Sequence, residues 1–179
     1  DVEYCESFGG VIKLIGWARN DGGKVTIMAC PAFIKNESQL ASVNDVFNAI
    51  LVRGDSTGDV VFYGKGAGKL PTASAVVSDI INAIQKSHKN KSLDWVDSEQ
   101  SFVADYKTAL CRHYIRVDGA NKAEIKKLFG DVQYLSRKDS PDSELAFVTD
   151  EIVEGKANEL CGKLGENAPV IARIRVLNY

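Results

Sequence analysis

The 179-residue chain has few of the residues that mark metal, redox or strongly charged binding sites. Its four cysteines, at positions 5, 30, 111 and 161, form no Cys-x-x-Cys pair, so their spacing gives no support to a zinc or dithiol motif. The formal net charge is only −2, which removes the electrostatic argument for nucleic acid or an anionic membrane as a partner. We therefore expect reduced thiols, no metal site, and neither of those partners.

Long apolar runs are also absent. No stretch approaches the roughly 20 apolar residues that a membrane-spanning helix needs, and no charged-then-apolar leader is recognised. The chain begins with Asp1 rather than methionine, from which we expect a piece of a longer protein. With 45% hydrophobic and 26% charged residues, the composition suits one or two globular domains. A cytoplasmic location is the simplest expectation for reduced thiols.

Alternating apolar residues in the first half predict antiparallel strands. The predicted strands are 11–20, 25–30, about 47–53 and about 59–63, with turns at 21–24 and 54–59 and a short segment at 40–43. From Thr72 the apolar spacing changes to three and four residues, which predicts a helix to about Ser87. The polar, aperiodic stretch 86–100 then predicts a domain boundary.

The second half has the pattern order βαββαβ. Its predicted strands are about 112–117, 132–136, 144–149 and 170–177, and its predicted helices are about 122–129 and 155–164. Two helices would cover one face of a four-stranded antiparallel sheet. The predicted fold class is therefore α+β: an antiparallel sheet with helices, followed by a compact βαββαβ domain.

A glycine-rich segment follows the predicted strand 59–63. Its glycines alternate with other residues at Gly64, Gly66 and Gly68. A Walker loop fails because Tyr63 stands at its first glycine position, and the Gly-x-Gly-x-x-Gly fingerprint fails because Lys69 stands at its third. Two interpretations stay open: a tight structural turn, or a loop whose bare backbone and following helix start contact an anionic group.

Two segments carry a family resemblance: "VIKLIGWA" and "LASVNDVFNAILVRGDSTGDVVFYGKGAGKLPTASAVVSDI". Together they resemble the C-terminal part of the catalytic region of homoserine dehydrogenase, whose members carry "LA-x-V-x-G-x-x-NA" followed by "GxGAGxxPTAxxVxxD". The resemblance spans about residues 1–85. Asp45 stands where the family often has glycine.

The resemblance implies an enzyme that interconverts L-homoserine and L-aspartate 4-semialdehyde with NAD or NADP, in threonine, methionine and isoleucine biosynthesis. The family's Rossmann half, lysine acid/base and acidic substrate residues would lie upstream, so no catalytic residue is expected here and the chain alone is expected to be inactive. Gly66, with Gly64 and Gly68 beside it, would approach the nicotinamide end of the cofactor. The helix from Thr72 would pack on the nucleotide-binding half. The sheet of residues 11–63 resembles the family's dimerisation sheet, so a homodimer or homotetramer is expected.

We accordingly assign residues 1–88 to the catalytic and dimerisation region, 89–108 to a linker and 109–179 to a domain that resembles the ACT module, an amino-acid sensor. ACT domains usually carry Asp-x-Pro-Gly before the first helix, whereas this chain has "DGANKAEI". Gly119 and Asn121 are therefore the candidate residues for a regulatory ligand such as threonine. A pairing or scaffold role is the alternative. For the whole chain, the alternatives are an amino-acid-binding regulatory protein or an oligomerisation module.

Several polar residues near the glycine segment have two interpretations each. Lys65 and Lys69 would face phosphates or simply be solvated. Asn44, Asp45 and Asn48 would line a substrate pocket or serve turns and caps.

The two histidines and two aromatic residues complete the candidates. His88 and His113 have no nucleophile or ligand partner nearby in sequence, so surface or edge positions are expected for both. Trp17 and Phe47 lie in predicted strands and are expected in the core or at a subunit interface.

Overall fold

The computed structural model of the chain describes residues 1–86 and 96–178. The helices are α1 (Val2–Ser7), α2 (Lys69–Lys86), α3 (Lys122–Phe129) and α4 (Glu154–Gly165), and Tyr106–Thr108 forms a 3₁₀ turn. The strands are β1 (Gly10–Asp21), β2 (Lys24–Lys35), β3 (Phe47–Gly54), β4 (Gly58–Lys65), β5 (Leu110–Asp118), β6 (Gln133–Leu135), β7 (Glu144–Val148), β8 (Ile152–Val153) and β9 (Val170–Leu177). His88 and part of the predicted linker, 89–95, lie outside the described residues.

The chain divides into two compact units. Unit 1 combines residues 1–41 with the chain from Ser101 onward, and unit 2 is Ser42–Gln100. These units are defined by which residues lie close together in space. The boundaries assigned from the sequence instead separate segments that resemble different protein families, so the two divisions differ. The assignment of 1–88, 89–108 and 109–179 to such modules stays a prediction.

Unit 1 is built on one sheet with strand order β1-β2-β9-β5-β7-β6, and β8 pairs with β5. The first two strands form the predicted hairpin, in which Asp21 pairs with Lys24 across Gly22 and Gly23. Both glycines have positive φ, the conformation that a tight hairpin turn requires. β2 then runs parallel to β9 over three register pairs, from Ala32 opposite Arg175 to Ile34 opposite Leu177.

The second half confirms the predicted order of strands and helices. Within the sheet these strands lie in the order β9-β5-β7-β6, and each neighbouring pair is antiparallel. In terms of the predicted pattern, the fourth strand (β9) lies beside the first (β5), and the third strand (β7) lies between the first and the second (β6). This is the arrangement of a split βαβ unit. β8 is the one addition to the predicted strands here, and its two residues are too short to show a period. The predicted α+β class is confirmed.

Alternation along the central strand β5 gives the sheet of unit 1 an apolar core on each face. On one face Ile115 and Val117 pack with Ile125 of α3 and Leu164 of α4. On the other face Tyr114 packs with Tyr4 of α1 and with Phe33 of β2, all at most 1% exposed. The side chain of Asp1, the N-cap of α1, makes no cap bond to the helix, but its Oδ1 accepts from the Tyr114 hydroxyl at 2.8 Å and from Arg116 Nε at 2.9 Å. α1 is thus held by packing and by these bonds to β5.

The prediction of one antiparallel sheet over residues 11–63 is wrong. β1 and β2 belong to the sheet of unit 1, whereas β3 and β4 form a separate two-stranded sheet in unit 2. β2 has two neighbours in this sheet, β1 and β9, and β9 lies about 140 residues later in the sequence. Local alternation predicts strands but contains no information on such distant pairing.

Some element bounds also differ from the sequence prediction. β2 continues past Pro31 to Lys35, and its pairing with β9 begins only at Ala32, so the missing N–H of Pro31 interrupts no bond to that neighbour. The segment 40–43 is a turn region. α1 was not predicted. Trp17 packs against the buried cluster around Ala32 and Ile34, as expected for a core residue.

No helix within the described ranges is both long and apolar enough to cross a lipid bilayer.

Candidate cofactor-contacting segment

The glycine segment joins the end of β4 to the start of α2 within unit 2. Its three glycines are placed differently. An added Cβ at Gly64 would meet nothing within 4 Å. Gly68 has φ +115°, a conformation that favours glycine, so a side chain there is strained whatever the space. Gly66 is the glycine expected to approach the cofactor, and it differs from both neighbours in what surrounds it.

Gly66 lies directly against the side chain of Asn48. A Cβ added at Gly66 would come 2.5 Å from Asn48 Nδ2 and 3.1 Å from its Cγ. The pairing of β3 with β4 places Asn48 opposite Gly64, two residues before Gly66. The structure therefore brings together one predicted cofactor residue and one predicted pocket residue.

α2 starts immediately after the glycine segment, three residues earlier than predicted. Lys69 is its first residue, and the N–H of Thr72 donates to the Gly68 carbonyl at 3.1 Å. Pro71 is tolerated because an N–H in the first helical turn has no partner within the helix. The positive end of an 18-residue helix thus adjoins the bare backbone.

This arrangement fits a nicotinamide dinucleotide. The cofactor carries an anionic pyrophosphate, which a helix start binds well, and a neutral carboxamide, which can form hydrogen bonds with exposed main-chain groups. Gly64 and Gly66 are exposed. At Gly64 the missing Cβ leaves open space for a ligand, whereas at Gly66 the position that a Cβ would take faces Asn48 and the rest of the backbone is bare.

The flanking hairpin is braced by side-chain pairs. Phe47 and Tyr63 stack with ring centroids 4.9 Å apart, and Lys65 Nζ lies 5.6 Å from the Phe47 centroid. Arg53 donates to both carboxylate oxygens of Asp59 at 2.6 and 2.7 Å, and the hydrogen bond from Arg53 lowers the pKa of Asp59. Lys65 is thus placed over an aromatic ring, where a cation–π contact holds it.

Asn44 and Asp45 lie in the turn before β3. The Asn44 carbonyl accepts the N–H of Phe47 at 3.1 Å, and Asp45 has φ +55°. Asp and Asn tolerate this left-handed conformation better than most residues, which accounts for an aspartate where the family often has glycine. These two residues thus form a turn before β3, and Asn48 is the one whose side chain faces the space beside Gly66.

Gly119 and Asn121 lie in unit 1, between β5 and α3. Gly119 has φ +78°, and its N–H donates to the Ser143 carbonyl at 2.8 Å. Asn121 is the N-cap of α3 and accepts the N–H of Glu124 at 2.9 Å through Oδ1. Both candidate residues thus form the link to α3.

His113 contradicts its expected surface or edge position. It is fully buried, since β5 is a central strand and His113 lies on the face that α4 covers. Its Nε2 is 3.8 Å from Glu154 Oε2, and neither ring nitrogen has a hydrogen-bond partner among the described residues. Burial lowers the pKa of His113 to about 4; the charges of Arg173 and Arg175 act in the same direction, against Glu154.

The fully buried Glu154 is held by two arginines of β9. Arg173 donates to Oε1 at 2.8 Å, and Arg175 donates to Oε2 at 3.0 Å and to Oε1 at 2.6 Å. Sequence reasoning missed this cluster, which we call the Glu154 cluster (His113, Glu154, Arg173 and Arg175). The available signal was the pair of arginines at alternate positions of β9, because two cations on one covered face require a buried acid.

The two cysteine thiols near this cluster are not made more acidic, so they are not activated as nucleophiles. Burial raises the pKa of the Cys30 and Cys161 thiols, although the neighbouring Arg175 and Arg173 oppose the shift. All four cysteines of the chain are free thiols. In the described part of the chain, no group of three or more potential ligands is placed to hold a metal ion.

Comparison with known proteins gives a consistent result. The homoserine dehydrogenase family model matches residues 1–81, which include the glycine segment. The homoserine dehydrogenase of Synechocystis sp. is 46% identical over 101 residues, which cover 52% of this chain and 23% of that protein. The homoserine dehydrogenase of Pseudomonas aeruginosa is 26% identical over 199 aligned positions, covering 98% of this chain and 46% of that protein.

Similarity of fold to homoserine dehydrogenase covers the whole chain. A crystal structure of S. aureus homoserine dehydrogenase matches with a TM-score of 0.74 and 28% identity, covering 100% of this chain and 45% of that one. The chain therefore spans between about a fifth and a half of the length of these relatives. The resemblance seen in the sequence motifs is confirmed.

Proposed function

We propose, from the premise that residues 1–81 belong to the homoserine dehydrogenase family, that this chain is the C-terminal portion of an enzyme that interconverts L-homoserine and L-aspartate 4-semialdehyde. NAD or NADP would be the redox partner. The observation that carries the proposal is the family match, because its span of residues 1–81 includes β1 to β4, the glycine segment and most of α2. A location in the cytoplasm is part of the proposal.

The role of this chain is to contact the cofactor rather than to perform the proton transfer. The bound nicotinamide accepts or supplies the hydride. Gly66 presents unobstructed backbone to the nicotinamide end, with Gly64 and Gly68 as neighbours. The start of α2 adds positive potential beside them. In the family that this chain resembles, a lysine moves the proton and acidic residues hold the substrate, and neither set matches a segment of this chain, so the chain by itself is expected not to turn over homoserine.

The hairpin of unit 2 supports association of copies. Ile50 and Phe62 lie opposite each other on one face, and both are more than 60% exposed. Val52 and Val60 extend the same exposed face by one register pair. Such an apolar face is stabilised when another surface covers it. We assign it to contacts between copies in a homodimer or homotetramer.

The module 109–179 is a second candidate site. Its strand order is that of a split βαβ unit, the arrangement expected of an ACT-like domain. The link from β5 to α3, with Gly119 and Asn121, is where an amino-acid effector such as threonine would bind. A role in pairing subunits is the alternative, and it needs no ligand.

Two measurements test these assignments. The first compares homoserine-dependent reduction of NAD and NADP by this chain and by a protein that extends it upstream through a Rossmann half. Activity only in the longer protein is expected, and inactivity of both would contradict the enzyme assignment. The second is titration calorimetry of the chain with threonine. Heat of binding supports the sensor, and its absence leaves the pairing role.

A further inference from the structure

The proximity of the Asn48 side chain explains why position 66 carries glycine. Gly66 does not have positive φ, unlike Gly68, so its backbone conformation is open to any residue. The space is what excludes a side chain, because a Cβ would lie 2.5 Å from Asn48 Nδ2. Position 66 therefore needs glycine only as long as position 48 carries a side chain that extends beyond Cβ.

The hairpin register explains why the Asn48 amide occupies that space. Its direct cross-strand neighbour is Gly64, which has no side chain. Neighbours on the same face of a hairpin normally pack against each other. With Gly64 opposite, the Asn48 side chain reaches the backbone of Gly66 instead.

We propose that Asn48 is a positioning residue that fixes the path of the glycine segment and thereby presents Gly66 to the nicotinamide cofactor. This inference rests on the proposed function for its cofactor and adds a residue that acts through another. Asn48 supports the far side of the Gly66 backbone and leaves the ligand-facing side bare.

A four-member cycle tests the coupling: the unchanged protein, Gly66→Ala, Asn48→Ala, and the double variant. Truncation of Asn48 to alanine removes Nδ2 and Cγ, and only its Cβ remains, 3.6 Å from a Cβ at position 66. That distance is an ordinary contact, so the double variant has room for both methyl groups. Gly162→Ala on α4, in both backgrounds, is the matched control, since a Cβ there meets nothing within 4 Å and Gly162 does not pair with Asn48.

The first readout is the NMR spectrum of the full chain, including amide exchange at Thr72, whose N–H donates to Gly68. The second is the Michaelis constant for the cofactor in the longer enzyme. Gly66→Ala alone is expected to shift the amide signals of the segment and to raise the cofactor KM by about tenfold or more, with a smaller change in kcat. In the Asn48→Ala background the same substitution is expected to have little further effect, whereas the control Gly162→Ala acts equally in both backgrounds.

The outcomes separate the positioning role from the cofactor assignment. If Gly66→Ala is as harmful with alanine at position 48 as with asparagine, Asn48 does not act through Gly66 and the inference is wrong. If the NMR signals show the coupling but no variant changes the cofactor KM, Asn48 positions the segment and the proposed cofactor contact is wrong.

Discussion

At the scale of single residues, His113 has the most unusual environment in the described chain. Both of its ring nitrogens are buried without partners, next to an acid and two arginines. Burial of a neutral imidazole is tolerable, but burial of an additional cation beside Arg173 and Arg175 is costly. His113 therefore makes stability depend on pH.

We predict that the free energy of unfolding falls as the pH is lowered from 6.5 towards 4, in part because of His113. The pKa of His113 is about 4 in the folded protein and 6.5 in the unfolded chain. Between these values the unfolded state binds more protons, so stability is fully present above pH 6.5 and is lost progressively below it. The loss from this group is at most about 3 kcal/mol.

Urea unfolding of the unchanged chain and of His113→Gln at several pH values measures this contribution. Glutamine has a similar volume and does not titrate, and carboxylates such as Glu144 contribute equally to both proteins. The stability of the unchanged chain relative to His113→Gln should fall as the pH is lowered below 6.5, because only the unchanged chain has this titrating group. Parallel curves would mean that His113 is protonated equally in the folded and unfolded states.

The sequence predicted some residues of the candidate site better than others. The family pattern identified Gly64, Gly66 and Gly68, because a motif preserves backbone requirements in local order. It did not distinguish the strained Gly68 from the crowded Gly66, since the crowding comes from Asn48 on another strand. His113 was placed wrongly because the burial of a strand depends on its neighbours in the sheet, which local sequence does not specify.

At the scale of elements, Glu154 ties the start of α4 to β9. Its carboxylate accepts from Arg173 and Arg175 and also lies in the first turn of the helix, where a negative charge is favourable. The two arginines are only partly exposed, at 23% and 20% of their side chains. The helix is thus held to the sheet by charge as well as by Leu160 and Leu164.

We predict that Glu154→Ala destabilises the chain by about 3 kcal/mol, because it leaves two partly buried cations without their acid. Glu159→Ala on the same helix is the matched control. Glu159 pairs with Lys156 and Lys163 on the exposed side, and exposed pairs contribute little. Chemical unfolding of the two variants compares them directly, and similar losses from both would contradict a structural role for the buried cluster.

Element prediction succeeded where the pattern is local. α3 and β9 lie at their predicted bounds, since each has a clear period and clear ends. α1 and β8 were missed because six and two residues are too few to display a period. Pro31 made β2 appear to end early, although proline interrupts a strand only where its N–H is needed for pairing.

At the scale of the whole molecule, unit 1 is assembled from two distant parts of the chain. The side chains that α1 and β2 contribute to its core include Tyr4 and Phe33, which pack against Tyr114 of β5. Ring centroids of Phe33 and Tyr114 are 4.5 Å apart. Neither part contains a complete core without the other.

We predict that residues 1–100 alone do not give the cooperative unfolding of unit 1, because β2 loses β9 and the core loses its other half. Mixing with residues 101–179 should restore the transition. Near-ultraviolet circular dichroism during thermal unfolding of each part, of the mixture and of the intact chain measures this. An unchanged midpoint for residues 1–100 alone would show that the first part has a sufficient core.

The parallel pairing of β2 with β9 has a consequence for inheritance. A gene that lost the segment encoding residues 109–179 would change the sheet of unit 1 itself, because β9 pairs with β2. The strand Lys24–Lys35 would then have an open hydrogen-bonding edge beside Ala32–Ile34. A shortened descendant would need another means of protecting that edge, such as charged residues, a bulge or a covering helix or loop, so strand pairing constrains which shortened genes yield a folded protein.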